Sequence, residues 1–595
     1  MVKRRNREPN PEKGRREGMK NLRRQALLQL VLLLLLLALV NVVSSFLFFR
    51  LDLTAEKRYT LSEPTKELLK NLDDVVYFQV YLEGDFPAGF KRLRKETKEM
   101  LDQFRAYSKY IEYEFINPSE SSDPKERAAV YQQLMQRGLT PTDLQVKTQE
   151  GTNQKIIFPG AIATFRGEER PVELLISRMG VPPEEVLNNS IQNLEYNLAN
   201  TIRLLTRTSQ PKVAYIKGHG ELPPLRVADF LRTLAHYYIV EQVELKGKLS
   251  SLTERSFAYD SSLVIKNKYD AIIIAKPDSA FSEKDKFIID QYIMRGGNVL
   301  WLIDPVLASM DSIQASNSTV GIVKELNLAD QFFNYGFRIN TNLVQDLSAL
   351  PIPVKTGNIG GAPQIDFYPW YFFPVIIPYN EHPIVKNLNA IRTEFISSVD
   401  TLSLPGVTKH VLLHTSEYSR TLNTPVIISL DIMRTEPDRR LFNKPHIPVA
   451  CLLEGTFPSL YANRVPPEIR DSKEIGFIDE SRPARMIVVG DGDIVANQLG
   501  KGPEGSIQPY PMGYDQYTGE TFGNKEFILN AIEYLVEGEG LISIRSRELK
   551  LRLLDRERAD KERVIWQVIN IILPVFIILI LGAAMWYKRK RTYTR

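Results

Sequence analysis

Two long apolar runs stand near the ends of the chain, and between them apolar residues recur with helical and strand periods. No charge occurs from Gln25 to Phe49, with Val31-Leu32-Leu33-Leu34-Leu35-Leu36-Leu37 at the centre, and none from Val564 to Tyr587. A helix needs about 20 apolar residues to cross a hydrocarbon core. Both runs are longer, so they predict transmembrane helices over 26–49 and 564–587. A cleaved signal peptide competes for the first, but an h-region covers only about 7–15 residues, and no clear A-x-A site follows this run.

Between the spans the pattern is α/β. Ser62 predicts an N-cap, with Glu63 and Pro64 in the first turn of a helix. Val75 to Leu82 reads as a strand. Phe90 to Tyr107 has helical periodicity, with Leu93, Thr97, Met100, Leu101 and Phe104 on one face. Ile111 to Pro118 alternates as a half-buried strand, and Pro124 to Arg137 is a helix stopped by Gly138. Strands at Ile156–Phe158, Ala161–Phe165 and Pro171–Leu174 follow, the last two joined at Arg166-Gly167-Glu168. The order βαβαβββ is thioredoxin-like and predicts one domain over 50–208, closed by a helix from Ile191 to Thr206.

A larger α/β domain is predicted over 209–540. Continuous apolar strands at Lys212–Ile216, Ile239–Val243, Tyr269–Ala275, Asn298–Ile303 and Ala484–Val489 alternate with helices at Leu225–Tyr237, Glu283–Arg295 and Asn524–Glu537. That alternation argues for a parallel sheet covered on both faces. Residues 330–480 read as strands and Pro-rich loops inserted within it, and 541–563 as a charged juxtamembrane helix.

Charge sets the orientation. The first 24 residues hold ten Lys/Arg against three Glu, and 588–595 hold five Lys/Arg, so the tails carry +12 of a net +5 and the remainder carries −7. Positive flanks stay in the cytoplasm. Both tails, 1–25 and 588–595, are therefore expected inside, with the body across the membrane. The basic excess beside apolar segments points to anionic lipid and not to nucleic acid. The single cysteine, Cys451, excludes an intramolecular disulfide and a Cys-type zinc site.

Candidate chemistry lies where strands end, since open α/β sheets bind ligands at their carboxyl edge. Gly218-His219-Gly220-Glu221, Asp304 and Asp491 all follow strands. They are the candidate ligand-binding residues, against the plainer reading of glycine turns and capping carboxylates. His410 and His414 share a strand face but lack a third metal ligand. Phe367, Tyr368, Trp370 and Tyr371 belong to an aromatic run that is either core packing or an exposed partner surface. No catalytic residue, metal or cofactor is expected. The rival function is a membrane-tethered, amidotransferase-like or glycan-hydrolysing enzyme, which requires two of Glu221, Asp304 and Asp491 in one pocket with perturbed pKa values. A passive scaffold is the third reading.

Arg50-Leu51-Asp52-Leu53-Thr54, Arg58-Tyr59-Thr60-Leu61-Ser62, Gly218-His219-Gly220-Glu221, the step from Gly296-Gly297-Asn298 to Asp304-Pro305, Val489-Gly490-Asp491-Gly492-Asp493 and Asn530-Ala531-Ile532-Glu533-Tyr534-Leu535 occur in that order between the two spans. In these features the chain resembles the gliding-motility ABC-transporter auxiliary family GldG of Bacteroidetes. The resemblance implies an inner-membrane, non-enzymatic subunit with a large periplasmic body. Its implied partners are an ABC permease, a separate ATPase, the bilayer, and an envelope glycan or periplasmic protein. It also implies a second domain similar to class I glutamine amidotransferases (flavodoxin-like) and to a domain of intraflagellar transport proteins. No cysteine follows a candidate strand, and no G-x-x-x-x-G-K-[ST] loop occurs.

Overall fold

The computed structural model describes residues 28–39, 60–148, 151–176, 182–257, 263–359, 362–502, 505–546 and 561–593. The chain divides into two compact units, Met1–Arg547 and Glu548–Arg595.

Helix α1 covers Leu28–Leu39. The rest of the span expected at 26–49 lies outside the described residues.

The first α/β layer begins with α2 (Glu63–Lys70), which Ser62 caps by accepting from the Thr65 N–H at 3.3 Å. Then come β1 (Val76–Val80), α3 (Ala88–Tyr107), β2 (Ile111–Phe115) and α4 (Pro124–Gln136). β3 (Thr142–Thr148) and β4 (Gly151–Ile157) form a separate hairpin. The strand read at Ile156–Phe158 therefore belongs to that hairpin, and its partner β3 was not anticipated. β5 (Gly160–Phe165) and β6 (Glu168–Glu173) complete a sheet of order β2-β1-β5-β6, parallel in the first pair and antiparallel in the others. The β5–β6 turn places Arg166 and Gly167 at φ +50° and +87°, the left-handed pair that a two-residue hairpin loop requires. α3 lays Phe90, Leu93, Thr97, Leu101 and Phe104 on the sheet.

Helices α5 (Pro183–Gln192) and α6 (Leu194–Thr206) lead into β7 (Lys212–Lys217), α7 (Ala228–Ala235), β8 (Ile239–Glu244), β9 (Ala271–Ala275), α8 (Glu283–Met294) and β10 (Asn298–Leu302). The chain then makes a long excursion. It contains β11 (Val306–Leu307), α9 (Met310–Ser316), β12 (Ser318–Val323), α10 (Ala329–Asn334), the hairpin β13 (Ala349–Ile359) and β14 (Ala362–Ile376), then β15 (Val407–His414), β16 (Val426–Ser429) and β17 (Pro448–Gly455). β18 (Ala484–Val489) and α11 (Asn524–Glu537) follow.

The large sheet runs β15-β17-β18-β10-β9-β7-β8. Its five strands from β18 to β8 are parallel, while β17 and β15 are antiparallel additions at one edge. Counted along the chain the parallel strands are ordered 2-1-3-4-5, the order of a doubly wound sheet. Alternate residues of each strand point to opposite faces. Val213 and Tyr215 join one core with Phe230 of α7 and Ile532 of α11, whereas Ala214 and Ile216 join another with Ile289 of α8. The first of these cores also contains Phe78 and Leu101, so both sheets share one apolar interior.

A polar clasp reinforces that shared core. Arg203 of α6 reaches Glu533 of α11 at 2.7 Å and pairs with Glu537, as does Arg207. Tyr196 donates to Glu533 at 2.6 Å. A 3₁₀ turn at Leu541–Ser546 follows, and 547–560 of the expected juxtamembrane helix lie outside the described residues.

The second unit is helix α12 (Arg563–Tyr593), of which Ile565–Arg591 is long and apolar enough to cross a membrane. Among the described residues it is the one helix that is.

Candidate functional site

The carboxyl ends of β7, β9, β10 and β18 meet beneath the excursion, and a crevice of about 360 Å³ opens there. Each strand contributes the residues just past its end.

β7 delivers Gly218-His219-Gly220-Glu221. Gly218 and Gly220 take φ of +109° and +78°, a region glycine enters freely. Glu221 folds back, its Oε2 accepting from the N–H groups of Gly218 and His219 at 2.9 Å each. The His219 ring stacks on Phe281 with centroids 3.7 Å apart and sets Nε2 3.4 Å from Asp285. Glu221 lines the crevice, while His219 is buried beneath the turn.

β9 delivers Lys276, itself at φ +50°. A non-glycine residue in that region stores strain of order 1–3 kcal/mol, and such residues cluster at functional sites. Its Nζ lies 3.2 Å from Asp304, just past β10, and also pairs with Asp493 beyond β18. Burial pulls the ammonium pKa down, but Asp304 and Asp493 outweigh it and hold the group above its ordinary value.

The stretch after β18, Gly490-Asp491-Gly492-Asp493, is explained by close approach. A Cβ on Gly490 would lie 2.1 Å from the Ser397 carbonyl oxygen, and one on Gly492 would lie 2.6 Å from Lys276 Cβ. Asp491 is fully buried and accepts from the N–H groups of Asp493 at 2.7 Å and Glu394 at 2.8 Å. Asp304 accepts from the Gly492 N–H. Glu394, brought in by the excursion, pairs with Arg392. Burial foremost pushes the carboxyl pKa values of Asp304, Asp491 and Glu394 upward. Neighbouring carboxylates add to this, and for Asp304 Lys276 opposes it.

The structure thus brings Asp304 and Asp491 together and places Glu221 on the same crevice. It adds Lys276, Asp493, Glu394 and Arg226, which the sequence reading did not single out. Asp493 belongs to a stretch already noted, and Lys276 follows a recognised strand. Nothing local marks Glu394. The pairing demanded of an enzyme is met in proximity and in pKa direction. However, Asp491 does not reach the crevice, and the oxygens of Asp304 and Asp491 are engaged by backbone N–H groups or Lys276. These carboxylates fasten loops. Six carboxylates line the crevice (Glu221, Asp278, Asp304, Asp311, Glu394, Asp493) against three cations (Arg226, Lys276, Lys324), so its field is acidic. Among the described residues no cluster of three or more His, Cys, Asp or Glu has a geometry that could hold a metal.

The aromatic run divides. Trp370 is 0% exposed and Tyr371 is buried, packing with Phe372 and Phe442, so neither forms part of an exposed surface. Phe367 is 52% exposed and Tyr368 is partly so, nearer the tip of the β13–β14 hairpin. His410 and His414 do not act together either. Irregular pairing at Val411–His414 breaks the alternation of β15. His410 packs on His382 and His414 on His446. Cys451 is buried in β17 and its thiol is pushed up to about 12 by burial.

Fold and crevice together define a doubly wound α/β body with a polar cleft at its carboxyl edge, in a chain carrying an apolar helix of membrane-spanning length. Residues 210–531, more than half of the sequence, match the family described as an ABC-type uncharacterized transport system, and the chain belongs to that family. Residues 55–164 match a domain of unknown function. An uncharacterized protein of Borreliella burgdorferi is 21% identical over 581 residues, spanning 96% of this chain and 100% of its own length. A solved chain, the mmIFT52 N-terminal domain, aligns over 55% of this chain and 98% of its own at 11% identity and a TM-score of 0.30, too distant to carry an argument.

Proposed function

We propose that this protein is a non-enzymatic, membrane-anchored accessory subunit of an ABC-type transport complex, and that the crevice is where its body engages a substrate or partner. The crevice geometry carries this reading. It lies where doubly wound sheets bind ligands, and Asp304 in its lining and Asp491 behind it are engaged by backbone N–H groups and Lys276, which suits them to holding shape and not to proton transfer. Membership of the transport family supplies the setting.

In this reading a permease and a separate ATPase are the working partners, both spans cross the inner membrane, both tails are cytoplasmic, and the body is periplasmic. The thioredoxin-like label rests on the order of elements read from the sequence, and the amidotransferase-like label and a role in gliding motility rest on the sequence resemblance.

Solubilised membranes bearing the tagged full chain should yield the permease and ATPase as copurifying chains; recovery of neither refutes the assignment. Orientation is tested separately. Cys451 is buried, so a Tyr418→Cys variant at an exposed position reports alone. A membrane-impermeant maleimide should label it once the periplasm is opened, and labelling only after lysis of the inner membrane overturns a periplasmic body.

A further inference from the structure

The sheet formed by β11, β12 and β16 is apolar on both faces. Inward, Val306 and Ile428 pack into the core that holds Ile313 and Trp370. Gly321 sits beside them, where a Cβ would meet Val426 at 2.9 Å. Outward, Leu307 pairs directly with Ile322 and Val320 directly with Ile427. Directly paired residues share a face, and so do residues two apart on one strand. All four side chains therefore lie on one side, exposed by 49%, 47%, 51% and 74% respectively. The solvent face of an antiparallel sheet ordinarily carries polar residues, and a contiguous exposed apolar strip marks an interaction surface.

Leu307 also lines the crevice, so the strip runs into a cleft with twice as many carboxylates as cations. Some of that acid stands at the mouth. The Asp278 side chain is 61% exposed although it pairs with Lys324 at 3.0 Å, and Asp311 is exposed at the start of α9. Greasy strip and acidic cleft together fit one chemistry.

We propose that Leu307, Ile322, Val320 and Ile427, with the acidic crevice they border, dock a segment of a partner protein that presents apolar side chains beside lysine or arginine. The apolar side chains cover the strip and the cation enters the cleft. The stretch between the two tails carries a net −7, so two copies repel each other overall, and a second copy is left as an outcome of the test. The proposal rests on the crevice being a binding site and adds the chemistry of what binds.

The test uses the full chain in nanodiscs of zwitterionic lipid, with empty discs subtracted. The probes are a fluorescein-labelled octapeptide alternating leucine with lysine and its leucine–glutamate counterpart. The lysine peptide should bind at least about tenfold more tightly, and its affinity should fall as salt rises from about 50 to 300 mM. Val320→Thr with Ile427→Thr keeps β-branched residues at exposed strand positions, so the fold persists and melting is unchanged. That variant should lose about fivefold or more of the lysine-peptide affinity, and Asp278→Asn with Asp311→Asn should lose the preference for lysine over glutamate. Equal binding of the two peptides, or unchanged binding by the strip variant, overturns the proposal. So does a wild-type dimer that the strip variant abolishes, which makes a second copy the occupant. In none of these cases is copurification of a permease and ATPase affected, so the accessory-subunit reading stands or falls separately.

Discussion

Replacing Lys276 with methionine removes the one cation held between Asp304 and Asp493. At 3.2 Å and an effective dielectric near 20, the Asp304 contact alone is worth about 5 kcal/mol. Removing one partner of a buried pair costs roughly 3–5 kcal/mol in measured cases. The lysine's own burial cost is recovered, and its side chain is 23% exposed, so about 3 kcal/mol is the expected loss near neutral pH. At roughly 2 °C per kcal/mol for a large domain the body should melt about 6 °C lower. The sign of the pH dependence follows from the groups left behind. Asp304, Asp491 and Glu394 have folded pKa values raised by burial, so they take up protons more readily folded than unfolded. Acidification from pH 7.5 to 5 therefore relieves the variant, and its deficit should shrink by half or more. In the wild type, Lys276 is raised above its unfolded value, so its contribution is complete below about pH 10.5 and is lost only in stronger alkali. Differential scanning calorimetry of the solubilised full chain at both pH values measures this. An unchanged melting point at pH 7.5, or an equal deficit at pH 5, refutes the view that Lys276 neutralises buried acid.

Other perturbations have equally specific outcomes. Arg203→Ala strips Glu533 and Glu537 of their shared cation, and about 3 kcal/mol lost at that clasp should split one melting transition into two, as seen by calorimetry. Gly490→Ala drives a Cβ against the Ser397 carbonyl and should abolish folded yield, whereas Gly519→Ala, at φ +73° with open space around it, should cost about 1–2 kcal/mol. His382 is held down to about 4 from an ordinary 6.5, by burial first and His410 second. Its folded pKa lies below its unfolded one, so stability is lost as pH falls from about 6.5 to 4, by up to about 3 kcal/mol; His382→Gln should flatten that limb of the melting profile. Cys451 should resist maleimide at pH 7.5 until denaturant is added, as its buried thiol near 12 requires.

Much of the framework could be read from local pattern. Ser62 caps the helix it announces, and the closing helix read at Asn524–Glu537 lies there. These elements carry their signals within a few residues. β3 escapes the sequence reading because only Leu144 and Val146 among its seven residues Thr142–Thr148 are apolar, so the alternation from Asp143 to Lys147 carries little hydrophobic signal. The crevice was half legible. Three of the four strand ends advertise a carboxylate, in Glu221, Asp304 and Asp491, but Lys276 and Glu394 matter only because four strand ends and a distant loop converge, and separation in space leaves no mark on a linear pattern. Trp370 shows the converse: a run rich in aromatics looks the same whether it faces a core or a partner, and here the burial changes along the strand.

The order of the large sheet also has a consequence for biosynthesis. β18 lies between β10 and β17 although it is made long after β10. Until the ribosome has passed Val489, the growing sheet has an open flank and the cleft lacks one wall. The apolar α12 segment emerges soon afterwards. The edge of β10 thus stays open throughout synthesis of residues 303–483, and a quality-control protease would meet it during the whole of that interval.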